Sequence, residues 1–270
     1  MLAALVIAVA AAIVVVELRA GEPFGHGRHG DEWAVRFEDD FEGDALDGDA
    51  WNTCHWWDDG GCTISSNDEL EWYLPSQVSV SDGRLRLTAE EAEVEGSDGE
   101  RYPYRSGMVT TGPPAYGEPA RFDFTYGRVE ARVRAPEGAG LWAAVWMLPS
   151  STSSRPEIDI LEVLGNDPTE RIFHLHPADR GQDPIGHRIR GRSMSEGWHD
   201  VGLEWEPELL RWFVDGDEVW RVEGDQVPDE PMYLVANLAV GGEYPGPPDG
   251  ATRFPATFEI DRVTVWQRRT

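Results

Sequence analysis

Residues 155–166 read RPEIDILEVLGN, and the reading of this stretch decides the rest. Ile158, Ile160, Leu161, Val163 and Leu164 give it the character of a strand, yet Glu157, Asp159 and Glu162 are set into it. Side chains alternate faces along a strand, so Glu157 and Asp159 share one face and Glu162 falls on the other. One extra residue before Glu162, either Ile160 or Leu161, would form a β-bulge and return it to the face of the other two acids. Without the bulge Glu162 is a bystander.

The distinction matters for chemistry. Retaining glycoside hydrolysis uses two carboxyl groups about 5 to 5.5 Å apart, one as nucleophile and one as acid and then base. A spacing of five residues along a flat strand puts the two glutamates on opposite faces, and the bulge corrects this. Three acids gathered on one face repel, so at least one is expected to keep its proton near neutral pH, as a general acid must.

Outward from this stretch the pattern is all β. In QVSVSDGRLRLTA, Val78, Val80, Leu85 and Leu87 take one face around an Asp82-Gly83 turn, which predicts a hairpin. GRVEARVRAP alternates Val129, Ala131 and Val133 with Arg128, Glu130, Arg132 and Arg134, a half-buried strand with a charged outer face. A second hairpin turns at Asp215-Gly216, and TFEIDRVTVW closes the chain as a strand. Roughly a dozen short strands at this spacing predict a sandwich of two antiparallel sheets with a groove on one face.

The 270 residues suit one domain. With 23 basic against 50 acidic residues the net charge is −27, a field that repels nucleic acid and anionic membranes and favours a neutral substrate. Residues 2–16 are uninterrupted apolar, so residues 1–20 are expected to be a signal peptide or a membrane anchor, and residues 21–32 a flexible linker before a domain at 33–268. His26, His29 and His55 have no ligand spacing. Export agrees with Cys54 and Cys62, which close a short loop and are expected to form a disulfide. Of the 12 tryptophans, Trp142 and Trp146 are four apart and therefore share a strand face, where flat rings grip sugars; Trp205, Trp212 and Trp266 are assigned to the core.

The stretches FTYGRVEARVRAPEGAGLWAAVWMLPS, RPEIDILEVLGN, YLVANLAVGGEYPG and FEIDRVTVWQ, in this order, resemble glycoside hydrolase family 16, in the laminarinase-like branch that carries the bulged E-x-D-x-x-E signature. The resemblance implies a β-jelly roll with a concave glycan-binding cleft and a retaining endo-1,3-β-glucanase that needs no cofactor for catalysis. By matching position it implies Glu157 as nucleophile, Asp159 as the assisting carboxylate and Glu162 as acid/base, with Trp142 and Trp146 lining the donor subsites.

Further positions follow from the same resemblance. Asn67 and Glu69 in SSNDELEWY would stand at the cleft edge, unless they are a turn Asn and a surface acid. His176 matches a histidine on the strand after the catalytic one. His174 shares its face, and the H-x-H pair suggests a metal site whose other ligands are not evident in the sequence. Asn237 either faces the cleft or satisfies a neighbouring loop. Glu42, Gly83 and Asp261 resemble the family's structural calcium site. Met108 replaces the family's sugar-binding arginine, and the CHWWDDGGC insertion adds Trp56 and Trp57 near the cleft mouth. The expected protein is a secreted monomer acting on β-glucan, with no membrane contact beyond a retained N-terminal anchor. The alternatives are the same chemistry on a mixed-linkage glucan or galactan, transglycosylation, or a non-catalytic carbohydrate-binding jelly roll. The intact triad argues against the last, since a binder gains nothing from three mutually repelling acids.

Overall fold

The computed structural model describes residues 32–57 and 62–269. The expected export or anchor segment and the linker lie outside them. Among the described residues there are sixteen strands, more than the dozen expected, in two sheets.

One sheet runs β14 (Asp217–Glu223), β13 (Leu209–Val214), β12 (His199–Glu206), β7 (Gly127–Arg134), β16 (Ala256–Arg268), β4 (Leu85–Glu95), β5 (Arg101–Ser106), β2 (Glu71–Tyr73), with β1 (Trp33–Asp39) also on β16 and β3 (Val78–Val80) on β4. The other runs β11 (Ile185–Arg190), β10 (Glu170–His176), β9 (Glu157–Leu164), β8 (Leu141–Pro149), β15 (Met232–Val240), β6 (Met108–Thr110). Pairing is antiparallel except between β2 and β5, which are parallel. Three-residue β2 has no long-range sequence pattern to announce that direction.

Both hairpins form as their turns dictate. Asp82 and Gly83 take positive φ (55° and 65°), as do Asp215 and Gly216 (49° and 92°), the left-handed pair that a two-residue turn requires. Between the sheets lies one core, in which Leu85, Leu87, Val129, Ala131 and Val133 meet Val145, Met147, Ile158, Ile160, Leu161 and Val163. Trp205 and Trp212 are in it; Trp266 is only half-buried and stays out, a departure from the expectation.

The outer face of β7 departs from the expected solvated charge row. Arg128 and Glu130 are buried, because β12 and β16 bring complementary charges alongside. Arg128 pairs with Glu204 at 3.2 Å, Glu130 with Arg262 at 3.2 Å, Arg132 with Asp200 at 3.1 Å, and Arg134 with Glu259. The arginine stems cover the sheet while their heads meet carboxylates of the neighbouring strands.

Candidate active site

The strand β9 carries a bulge. Against β8, Val145 pairs with Leu161 and Trp146 with Asp159, so Ile160 is passed over. Against β10, Ile172 pairs with Glu162 and His174 with Asp159, leaving Ile160 and Leu161 together opposite Phe173. Both extra-residue candidates point into the core, 1% and 0% exposed, and the next side chain outward is Glu162. Glu157, Asp159 and Glu162 accordingly line one groove of about 290 Å³ on the outer face of the six-stranded sheet. The main-chain oxygen of Asp159, beside the bulge, accepts a hydrogen bond from Trp212 Nε1 at 2.9 Å across the core.

Two histidines of β10 hold the acids. His174 Nδ1 lies 2.5 Å from Glu162 Oε2 and 3.9 Å from Asp159 Oδ2. His176 Nε2 lies 3.2 Å from Asp159 Oδ2 and 3.6 Å from Glu157 Oε1, bridging that pair. Burial, then the neighbouring Asp159, push the Glu157 carboxyl up to about 8, against the pull of His176. Asp159 is driven well above the usual carboxylate range by burial and by Glu162. At least one of these carboxyls is therefore expected to keep its proton near neutral pH, as the crowding of acids predicts.

The rest of the groove is aromatic and amide. Trp142 and Trp146 both line it, as their spacing predicts, with Asn67, Glu69, Asn237 and Tyr244. Asn237 accepts from Trp146 Nε1 at 2.8 Å and donates to Tyr73 Oη at 2.9 Å, so it faces the cleft and fixes the indole at once. Trp142 Nε1 is buried without a protein partner. Tyr244 stands edge-on to Trp142, ring centroids 5.1 Å apart, and burial lifts its hydroxyl to about 12. Asn67 Nδ2 donates to Glu69 Oε1 at 3.0 Å, and Glu69 is raised chiefly by burial, so neither is a free surface group.

Sequence reasoning missed Tyr73, Glu71 and Tyr244. Glu71 is fully buried beside Glu69, one oxygen accepting from Val240 N at 2.7 Å, and burial and Glu69 hold it well above the ordinary range. EWY reads as an ordinary alternating triplet, so only the fold reveals that Glu71 is enclosed.

Cys54 and Cys62 are disulfide-bonded, Cα atoms 5.4 Å apart. Trp56 is turned inward, its Nε1 donating to Tyr233 Oη at 3.0 Å, whereas Trp57 is exposed and stacks on buried His55 at 3.9 Å. Met108 packs with Cys62 and Tyr73 in a small cluster beneath the stapled segment, so it takes no part in lining the groove. Of the proposed calcium ligands, Glu42 lies against Gly83, 3.2 Å from where a Cβ would stand, but the Asp261 carboxylate faces Arg132 at 3.5 Å. A guanidinium in contact with one ligand does not fit a hard cation there.

The sequence profile of glycosyl hydrolases family 16 matches residues 66–261. Endo-1,3-1,4-beta-glycanase EglC of Rhizobium meliloti (strain 1021) is 34% identical over 246 residues, 85% of this chain and 51% of that protein. The chain spans about half or less of the length of the curated relatives of this kind. Among solved structures, the endo-beta-1,3-glucanase of Pyrococcus furiosus superposes with a TM-score of 0.78 at 29% identity, covering 89% of this chain and 97% of that one. The catalytic domain of an endo-1,3-beta-glucanase (laminarinase) from Thermotoga petrophila RKU-1 gives 0.78 at 30% identity, covering 89% and 100%.

Proposed function

Since the chain belongs to glycosyl hydrolase family 16, whose members retain anomeric configuration, we propose that it is an endo-hydrolase of 1,3-β-glucan working by double displacement. One observation carries the reading: the β9 bulge gathers Glu157, Asp159 and Glu162 in a groove walled by Trp142 and Trp146.

Glu157 attacks the anomeric carbon as Glu162 delivers its proton to the departing glycosidic oxygen, and a glycosyl ester forms at Glu157. Water then attacks the same carbon while Glu162 takes back a proton, and the ester breaks to release a product of the original configuration. His174, within hydrogen-bond reach of Glu162, orients it. A neutral Asp159 spares Glu157 the repulsion of a second charge and hydrogen-bonds the carboxylate as it leaves. The unpartnered Trp142 Nε1 is available to a sugar hydroxyl. No step calls for a cofactor.

The test is a panel of 1,3-β-glucan, mixed-linkage β-glucan and galactan, with product lengths and the initial anomer read out. Short β-configured oligosaccharides from 1,3-β-glucan are expected. Inertness on all three, with retained binding, would leave the silent carbohydrate-binding jelly roll. Cleavage confined to the mixed-linkage polymer would favour the second reading, which the similarity to the Rhizobium enzyme supports.

We also propose that the enzyme acts outside the cell as a monomer; the disulfide favours an oxidising compartment, and the groove is complete within one chain. A structural calcium at Glu42 and Gly83 would require Asp261 to leave Arg132 or another group to replace it. Among the described residues no helix is long and apolar enough to cross a membrane.

A further inference from the structure

The H-x-H pair of β10 finds on β9 the third donor that the sequence pattern does not reveal. We propose that Asp159, His174 and His176 form a binding site for a divalent transition metal of the zinc class, and that its occupancy blocks hydrolysis. Their donor atoms lie within 4.8 Å of one another.

The geometry is close to what such an ion asks. Tetrahedral zinc with imidazole or carboxylate donors at about 2.0–2.1 Å sets those donors about 3.4 Å apart. His176 Nε2 and Asp159 Oδ2 are 3.2 Å apart, and His174 Nδ1 and Asp159 Oδ2 are 3.9 Å apart. Two imidazoles and one carboxylate, with the groove side open, is a donor set suited to zinc, cobalt or non-haem iron and poorly suited to calcium or magnesium. All three residues line the groove, so an ion has an entry path.

The backbone is arranged to admit this pose. Gly186 of β11 lies directly opposite His174, and a Cβ there would come within 2.3 Å of the imidazole Cδ2 and 2.6 Å of its Nε2. Glycine at that position gives the ring its place, and any larger residue displaces Nδ1 from the triad.

Occupancy and hydrolysis exclude each other for a structural reason. The ion takes the His174 nitrogen that otherwise touches Glu162, and the His176 nitrogen that otherwise bridges Asp159 and Glu157. Glucan turnover should therefore fall with added Zn2+ and return with EDTA.

The test measures binding without substrate, so it stands or falls separately from the hydrolytic reading. The EDTA-treated full-length protein is titrated with Zn2+ by calorimetry and with Co2+ by visible absorption. One equivalent is expected, with cobalt ligand-field bands, and His174→Ala and His176→Ala should each weaken it at least tenfold. Gly186→Ala, which removes no donor residue but displaces the His174 ring, should weaken it as well, with circular dichroism confirming that each variant is folded. His187→Ala is the control, since His187 pairs with Phe173 and stands on the other face of β11. Absence of binding to the wild type, or isotherms unchanged in both histidine variants, would overturn the proposal. Binding that leaves glucan hydrolysis untouched would overturn the claim that the ion blocks the site.

Discussion

The indole of Trp212, rooted in one sheet, donates to the main-chain oxygen of Asp159 in the other at 2.9 Å. A bulge leaves ladder groups unmatched, and buried main-chain oxygens rarely go without a partner. Here the donor comes from across the sandwich, so the core itself holds the strand of the three acids in its irregular shape.

Trp212→Phe keeps an aromatic ring against Trp220 but orphans that oxygen. Leaving a buried acceptor unsatisfied costs about 1–3 kcal/mol, to which the lost ring volume adds. A lower melting temperature is expected together with a fall in kcat at nearly unchanged KM, because the bulge relaxes while Trp142 and Trp146 remain. A destabilised variant with unimpaired kcat would show that the hydrogen bond has no bearing on the acids.

Glu157→Gln removes the proposed nucleophile and should lower kcat by several orders of magnitude with glucan binding intact. Glu162→Ala should regain activity with azide on substrates bearing good leaving groups, giving a β-glycosyl azide, since azide attacks the glycosyl ester without base assistance. Because Glu157 is raised to about 8, the acid limb of kcat/KM in free enzyme should lie above the usual carboxylate range and move lower in Asp159→Asn. An acid limb at ordinary carboxylate values would contradict a Glu157 carboxyl raised by burial and by Asp159.

These acids were legible because a spacing of five conflicts with strand alternation, and the conflict has one economical resolution. The hairpins were legible for the same local reason, a two-residue turn chemistry between alternating runs. What was illegible depends on distant strands. The burial of Arg128 and Glu130 requires Glu204 and Arg262, and the enclosure of Glu71 requires β15. His174 could be placed on the face of His176, but its contact with Glu162 depends on which residue of β9 bulges. Plain alternation from Phe258 and Ile260 would bring Trp266 to the core face, but β16 bulges between Ile260 and Arg262, so Val263 and Val265 turn inward and Trp266 outward.

The buried ladder should leave a pH signature. Burial, aided by Asp200, lifts Glu130 from 4.5 to about 7, despite Arg262. Between those values the unfolded chain releases this proton before the folded one does, so this group's contribution to stability is full below 4.5 and is lost as pH rises through 7. Glu130→Gln removes that loss and adds a pH-independent offset from the weakened Arg262 contact. The melting temperature of the variant relative to wild type should therefore climb between pH 5 and pH 8; a flat difference would refute the assignment.

Reduction of Cys54–Cys62 should affect the groove before the fold. Closing so short a loop contributes about 2–3 kcal/mol, a modest part of the stability of a domain this size. Within the loop, however, Trp56 is tied to Tyr233, and beneath it Met108 is sealed with Tyr73, which in turn supports Asn237. Mild reductant is expected to raise KM for glucan while the far-ultraviolet dichroism is unchanged, and titration of the denatured, unreduced protein should find no free thiol.

Deleting one bulge residue tests the arrangement most directly. Removal of Leu161 turns EIDILEVLG into EIDIEVLG, in which plain alternation places both glutamates and Asp159 outward and Ile158, Ile160 and Val163 inward. No residue after the deletion changes face, since Ile160 and Leu161 now share the core side. The loss is one buried leucine, about 2–5 kcal/mol by analogy with truncation, offset in part by the regained ladder bonds. The Asp159 oxygen would then meet its ladder partner and release Trp212. A folded protein with a lowered melting temperature and reduced but measurable hydrolysis is expected, from thermal melting and a glucan assay on one sample. Were the native strand regular, Glu162 would face inward and Val163 outward, and the same deletion would reverse the face of every residue after it; an unfolded or wholly inactive product would therefore mean that the bulge is not a one-residue insertion.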